Sequence, residues 1–214
     1  DGQRDEQEIY HAFSALAETG LPLFVIPGNH ELKKDYEAVF ARLRHSPIID
    51  MAAVRVIDGD DADVVSLPGY QTRATATHTF VPDGGYWANP SLIRETAGLK
   101  KGLDDAVLLL THGPPKTTTP GPGTLMEGTD AGDEETRNMM RSADISFVVS
   151  GHIHEAGGQA VTLNGTRVPE RTWSDSLILN VGSVEPWTLL DGKKHNGMGA
   201  IVTLDGAQAM YELV

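Results

Sequence analysis

Two imidazoles stand one residue apart in the run Ser150-Gly151-His152-Ile153-His154-Glu155. Neutral imidazole is the commonest metal-ligating side chain. Alternate residues of an extended segment face the same way, so His152 and His154 can reach one spot, or two separate ions where a turn splays them. A lone His-x-His pair also occurs by chance in surface loops. Here the pattern recurs: Pro27-Gly28-Asn29-His30-Glu31 and Thr111-His112-Gly113-Pro114-Pro115 again set histidine close to glycine, and the three segments hold four of the eight histidines. Asn29, His112, His152 and His154 form a set of nitrogen and oxygen donors suited to Zn, Mn or Fe. Two such ions ~3.5–4 Å apart activate water and clamp the attacking and leaving oxygens of an ester under displacement. A pair of that kind also needs carboxylates, one of them ideally bridging, and these three motifs supply no clear bridge.

The elements that must carry these loops are legible around them. Each loop follows a short apolar run, at 23–26, 107–110 and 145–149, and such β-prone runs read as buried strands. In open α/β sheets ligands bind outside the carboxyl ends of the strands, so three such loops meet on one edge. Residues 5–19 read as a helix with Ile9, Phe13 and Leu16 on one face, closed by Gly20. A second helix carries Tyr36, Val39, Phe40 and Leu43 and ends before Pro47. A third runs 91–99 after Asn89-Pro90, and a fourth runs 133–142 with acids first and arginines later. Met139 and Met140 in that fourth helix are expected core contacts.

Residues 54–57 and 63–67 read as strands flanking a solvated acidic turn, Asp58-Gly59-Asp60-Asp61, which lacks the ligand spacing of a calcium loop. Tyr70 and Arg73, just beyond, are candidate phosphate-side contacts, although a structural role is the favoured reading. Residues 74–90 read as a polar lid or rim, and 114–123, rich in proline, threonine and glycine, as an irregular loop at the site. After the His-x-His loop come short strands at 160–163, 167–168, 177–181, 200–204 and 209–214. With hairpin turns at Asn164-Gly165 and Asp205-Gly206, they read as an antiparallel run.

The bulk numbers bound the function. The chain of 214 residues fits one compact α/β domain, and its formal net charge of −13 gives no basic face for a nucleic acid to follow. With no cysteine there is neither a disulfide framework nor a thiolate metal site. No apolar run approaches the ~20 residues of a membrane span, and there is no signal-peptide pattern. No membrane partner is therefore expected, and a cytoplasmic location is. The chain opens on Asp1-Gly2 without Met, and the expectation is that further residues precede it.

Taken in order, Gly28-Asn29-His30-Glu31, Thr111-His112-Gly113-Pro114-Pro115 and Gly151-His152-Ile153-His154 resemble the motifs of the calcineurin-like metallophosphoesterase superfamily. Asn180-Val181-Gly182-Ser183 resembles the Asn-Pro-Gly-Ser segment of its small bacterial phosphodiesterase branch, with valine in place of proline. The resemblance implies a four-layer α/β/β/α sandwich with two mixed β-sheets and a site for two divalent metal ions. It also implies hydrolysis of phosphodiester or phosphomonoester bonds, on a phosphoester substrate expected to be a small molecule. By that resemblance Asn29, His112 and His152 would bind one ion and His154 the other. His30 would lie beside the leaving group, either donating a proton or stabilising charge on the phosphoryl oxygens, and Glu31 and Glu155 would orient the histidines. The superfamily also carries Asp-x-His and Gly-Asp-x-x-Asp on earlier strands, and neither is complete here. Asp1 would be the last residue of the second motif, or its bridging Asp. The competing reading is a scaffold that keeps the sandwich, has lost its metals and binds protein. Joint retention of Asn29, His30, His112, His152 and His154 disfavours it.

Overall fold

The computed structural model describes residues 5–71, 81–126, 128–189 and 191–214. Asp1, Arg73 and the first part of the expected rim, 74–80, lie outside the described residues. Chain order is α1 (Glu6–Ala17), β1 (Leu23–Val25), α2 (Lys33–Arg42), β2 (Ile48–Asp50), β3 (Val56–Ile57), β4 (Ala62–Leu67), α3 (Pro90–Leu99), β5 (Ala106–Thr111), β6 (Leu125–Met126), β7 (Thr129–Asp130), α4 (Glu134–Ala143), β8 (Phe147–Ser150), β9 (Gln159–Val161), β10 (Leu177–Asn180), β11 (Trp187–Thr188), β12 (Lys194–His195), β13 (Ala200–Asp205) and β14 (Gln208–Leu213). No helix among the described residues is long and apolar enough to cross a membrane.

The centre is a mixed six-stranded sheet in the order β3-β4-β5-β8-β10-β9. Strands β4, β5, β8 and β10 run parallel, with β3 and β9 antiparallel at the two edges. Its register follows from side-chain alternation. Val65, Leu109, Val148 and Ile178 align across the four parallel strands, all fully buried, and form a row beneath Ile93 of α3 and Met139 and Met140 of α4. One residue earlier on each of the inner strands, Leu108, Phe147 and Leu177 face the other side. There Ala209 and Tyr211 of the β13–β14 hairpin cover them. A slip of one residue would exchange the two faces, so the burial on both sides fixes the pairing.

Helices on one face and a hairpin sheet on the other give the mixed α/β layering that the sequence leads one to expect. Away from this sheet β1 and β2 pair in parallel; Tyr36 of α2 donates to the Val25 carbonyl of β1 at 3.2 Å, and α1 packs on α2. Phe13, Tyr36, Phe40 and Tyr86 meet there, with ring centroids 5.0–5.9 Å apart. Asp5 caps α1 by accepting from the Glu8 amide, and Asp133 caps α4 by accepting from Thr136.

Four features differ from the sequence reading. Strand β10 belongs to the parallel core beside β8 instead of a terminal antiparallel run; Leu177, Ile178 and Leu179 are buried on both faces, the property of a central strand. Residues 167–168 form no strand, only an isolated bridge from Arg167 to Val161. The β2, β6–β7 and β11–β12 pairings have no counterpart in the sequence reading. The loop after His112, read as irregular, contains a 3-10 turn over Pro122–Thr124.

Candidate metal centre

Because β5 and β8 are parallel neighbours, the loops that follow them leave the sheet on the same edge. His112 comes directly after β5, and Gly151-His152 directly after β8. The Gly151 amide donates to the His112 carbonyl at 3.0 Å and ties the two loops together. The third loop, 27–31, is joined to the end of β4 by a bond from the Gly69 amide to the Pro27 carbonyl at 2.9 Å. Gly28 is required there. A Cβ on it would lie 2.6–2.9 Å from three atoms of the His112 ring, so only glycine lets this backbone approach the imidazole.

Three of the expected donors converge. Asn29 Oδ1 lies 2.8 Å from His112 Nε2, and His152 Nδ1 lies 3.0 Å from the same nitrogen. Asn29 is buried, and the two imidazoles are half-buried. A neutral imidazole nitrogen has one proton or one lone pair, so His112 Nε2 cannot serve both neighbours fully by hydrogen bonding. His152 Nε2 is buried and has no hydrogen-bond partner among the described residues. Donor atoms held at ~2.0–2.2 Å from one ion, at right angles, stand about 3 Å apart. The observed spacing and the donor chemistry therefore fit a divalent cation better than they fit a hydrogen-bond chain.

The electrostatics agree with that fit. Burial, followed by the nearby charges of His152, His30 and His154, holds His112 well below the ordinary histidine range. Burial, followed by His154 and His30, pushes His152 down to about 4. Both rings are thus neutral near pH 7, the form that ligates metal. His152 also adopts a left-handed backbone, φ 66°, which a non-glycine residue takes at a cost of ~1–3 kcal/mol.

The other expected residues lie elsewhere around this group. His30 is exposed, although it follows Asn29 directly. His154 begins a 3-10 turn, is exposed, and has its ring 6.4 Å from that of Trp187. Among the described residues, no three His, Cys, Asp or Glu side chains gather as a metal-holding group; the convergent set is two imidazoles and an amide. Glu31 Oε2 accepts from the Gly28 amide at 2.7 Å, so its carboxylate braces the turn that presents Asn29. Lys116, the cation of the following loop, pairs with Glu134 at 3.9 Å. A cavity of ≈ 360 Å³ opens beside Asn29, His30 and His112, with Phe13, Tyr36 and Val184 among its other walls.

Two residues carry more of the site than their sequence suggested. Tyr70 is buried, with its ring 4.2 Å from that of His152 and 5.9 Å, edge-on, from that of His112. Asn180, fully buried at the end of β10, donates from Nδ2 to the Ile153 carbonyl at 2.9 Å and accepts on Oδ1 from Gly182. It thereby fixes the backbone between His152 and His154. The Pro68-Gly69-Tyr70 turn after a strand was the available signal for the first residue, and the Asn-x-Gly-Ser segment for the second.

A mixed α/β sandwich with histidine and asparagine donors on one sheet edge defines the class, a metallophosphoesterase-like protein. The calcineurin-like phosphoesterase family model matches residues 1–156, and the chain belongs to that family. Two solved structures share the fold. TT1561 of Thermus thermophilus is 14% identical with a TM-score of 0.57, over 91% of this chain and 80% of its own. A second crystal structure is 15% identical with a TM-score of 0.59, over 89% of this chain and 70% of its own. Comparison with curated proteins finds no match. The family generally uses a dinuclear divalent metal centre.

Proposed function

We propose that the protein hydrolyses phosphoester bonds, phosphodiesters in preference to monoesters, with two divalent cations as cofactors. The observation that carries this reading is the convergence of Asn29 Oδ1, His112 Nε2 and His152 Nδ1. Membership of a phosphoesterase family supports the reaction class.

Asn29, His112 and His152 would hold one cation, and His154 with carboxylates such as Asp1 would hold the other. Bound there, the cations supply Lewis-acid charge to phosphoryl oxygens and make water more acidic. The protein's own groups do the remaining work. His112 and His152, kept neutral by burial, offer lone pairs without first losing a proton. His30, exposed beside the cavity, donates a proton to the alcohol oxygen as the bond to phosphorus breaks in line. Glu31 keeps the Gly28 turn in place and with it the Asn29 amide. A protein-binding scaffold would have no use for imidazoles held convergent and neutral.

The test is hydrolysis of bis(p-nitrophenyl) phosphate by wild type and His152→Ala, each chelated and then supplied with Mn²⁺. Wild type should lose turnover on chelation and recover it with metal, and the variant should not recover. Equal turnover in both proteins rejects the mechanism.

A further inference from the structure

We propose that Tyr70 is a positioning residue of the candidate centre: its buried ring is the wall that orients His152 and His112, and so governs how tightly they hold a divalent cation. The inference rests on the metal-site reading above and adds to it a residue that offers the ion no donor atom.

A metal-binding histidine ordinarily has its ring orientation fixed by a hydrogen bond from the nitrogen that does not face the metal. Among the described residues His152 lacks that device, because Nδ1 is the atom that meets His112 and Nε2 is buried with no partner among them. What lies against the imidazole is the Tyr70 ring, at 4.2 Å and inclined by 32°. The same phenol meets His112 nearly at right angles, 81°, with centroids 5.9 Å apart. The edge-on contact at 5.9 Å is a favourable geometry for aromatic rings, and the tilted contact at 4.2 Å is close ring-to-ring packing. A single side chain therefore contacts both imidazoles and can fix their mutual angle, 68° at 4.8 Å.

Tyr70 is itself firmly held. Its amide donates to the Tyr86 carbonyl at 3.1 Å, and its carbonyl accepts from Ala88 at 3.0 Å. Gly113 comes close to the ring edge: a Cβ there would stand 2.5 Å from Tyr70 Cε2. The glycine after His112 thus makes room for the wall that orients His112. The left-handed backbone of His152 adds to the need, since a strained residue keeps its conformation only where its surroundings over-determine it.

The experiment is calorimetric titration of the metal-free protein with Mn²⁺, and electronic absorption with Co²⁺, for wild type, Tyr70→Phe, Tyr70→Leu, Gly113→Ala and His112→Ala. Thermal unfolding of each metal-free protein serves as the check on folding. Tyr70→Phe keeps the ring and should bind like wild type. Tyr70→Leu should weaken binding about 10–100-fold, the range for residues that orient metal ligands, and shift the Co²⁺ bands. Gly113→Ala should act in the same direction by displacing the ring, and carries the test if Tyr70→Leu does not fold. Wild-type affinity and spectrum in Gly113→Ala and in any folded Tyr70→Leu overturn the proposal, as does a loss in Tyr70→Phe equal to that in Tyr70→Leu. If His112→Ala binds like wild type, the metal-site reading itself fails; if His112→Ala alone loses binding, only the role of Tyr70 falls.

Discussion

The candidate centre has a buried half and an exposed half, and the two come from the same loops. Asn29 is buried and its neighbour His30 exposed; His152 is half-buried and stacked, while His154, two residues on, is exposed. On the buried side the fold has fixed the geometry, through the Gly28 approach, the Tyr70 wall and the strained turn at His152. Such preorganisation lowers the cost of binding an ion, because the donors are ordered before it arrives. On the exposed side, His30 borders the cavity and His154 stands open to solvent. The proposed roles follow this alternation: the ligands of one cation lie inside, while His30, beside the leaving group, and His154, for the second cation, lie outside.

That division is broken most directly by comparing His112→Ala with His30→Ala on a dialkyl phosphodiester. His112→Ala should lower metal content and cost on the order of 10³-fold in kcat, since it forfeits several kcal/mol of charge stabilisation. His30→Ala should leave metal content unchanged and cost ~10²–10⁴-fold for a poor alkyl leaving group. With p-nitrophenol as leaving group, which departs without protonation, that loss should shrink sharply. Metal lost from His30→Ala, or a penalty independent of the leaving group, would erase the distinction between the halves.

How much of this could be read from residues alone differs between the halves and the scaffold. The loops were visible because each histidine follows an apolar run, and the parallel pairing of β5 and β8 then sets both loops on one edge. Val65, Leu109, Val148 and Ile178 each sit in a locally apolar strand, but their alignment in one row depends on the pairing. What escaped is pairing over long sequence distance. Leu177–Asn180 is apolar on both faces, which marks a central strand but does not name its neighbour, so its parallel match with β8 appears only in the fold. Tyr70 escaped for the same reason: nothing in a Pro-Gly-Tyr turn announces that its ring will meet an imidazole delivered by another strand. Asp1 and Arg73 lie outside the described residues, and the expectations attached to them stand as proposals.

Acid sharpens the contrast. The unfolded chain takes up histidine protons near pH 6.5, whereas the folded protein holds His152 down to about 4 and His112 also well below its usual range. Between those limits the unfolded state binds more protons, so metal-free stability should fall as pH drops through the window, by up to about 1.4 kcal/mol per pH unit for each imidazole. Above pH 7 these two groups should contribute no slope. Urea unfolding of metal-free wild type and His152→Ala at neutral and acid pH measures this. An acid slope as steep in the variant as in wild type would show that His152 is not its source.

The smallest effect is expected at the joint between the halves. Asn180 bonds the Ile153 carbonyl, and Ile153 separates the inward His152 from the outward His154. Asn180→Ala leaves that carbonyl and the Gly182 amide without their partner, a cost of about 1–3 kcal/mol. At this chain length each kcal/mol lowers Tm by roughly 2–4 °C. Asn180→Asp separates the two bonds, because a carboxylate still accepts from Gly182 but has no proton for Ile153. If the donated bond is what joins the halves, Asn180→Asp should lose both Tm and Mn²⁺ affinity alongside Asn180→Ala. An aspartate variant as stable and as tight-binding as wild type would place the anchor at Gly182, and the two imidazoles would then owe their separation to the turn itself.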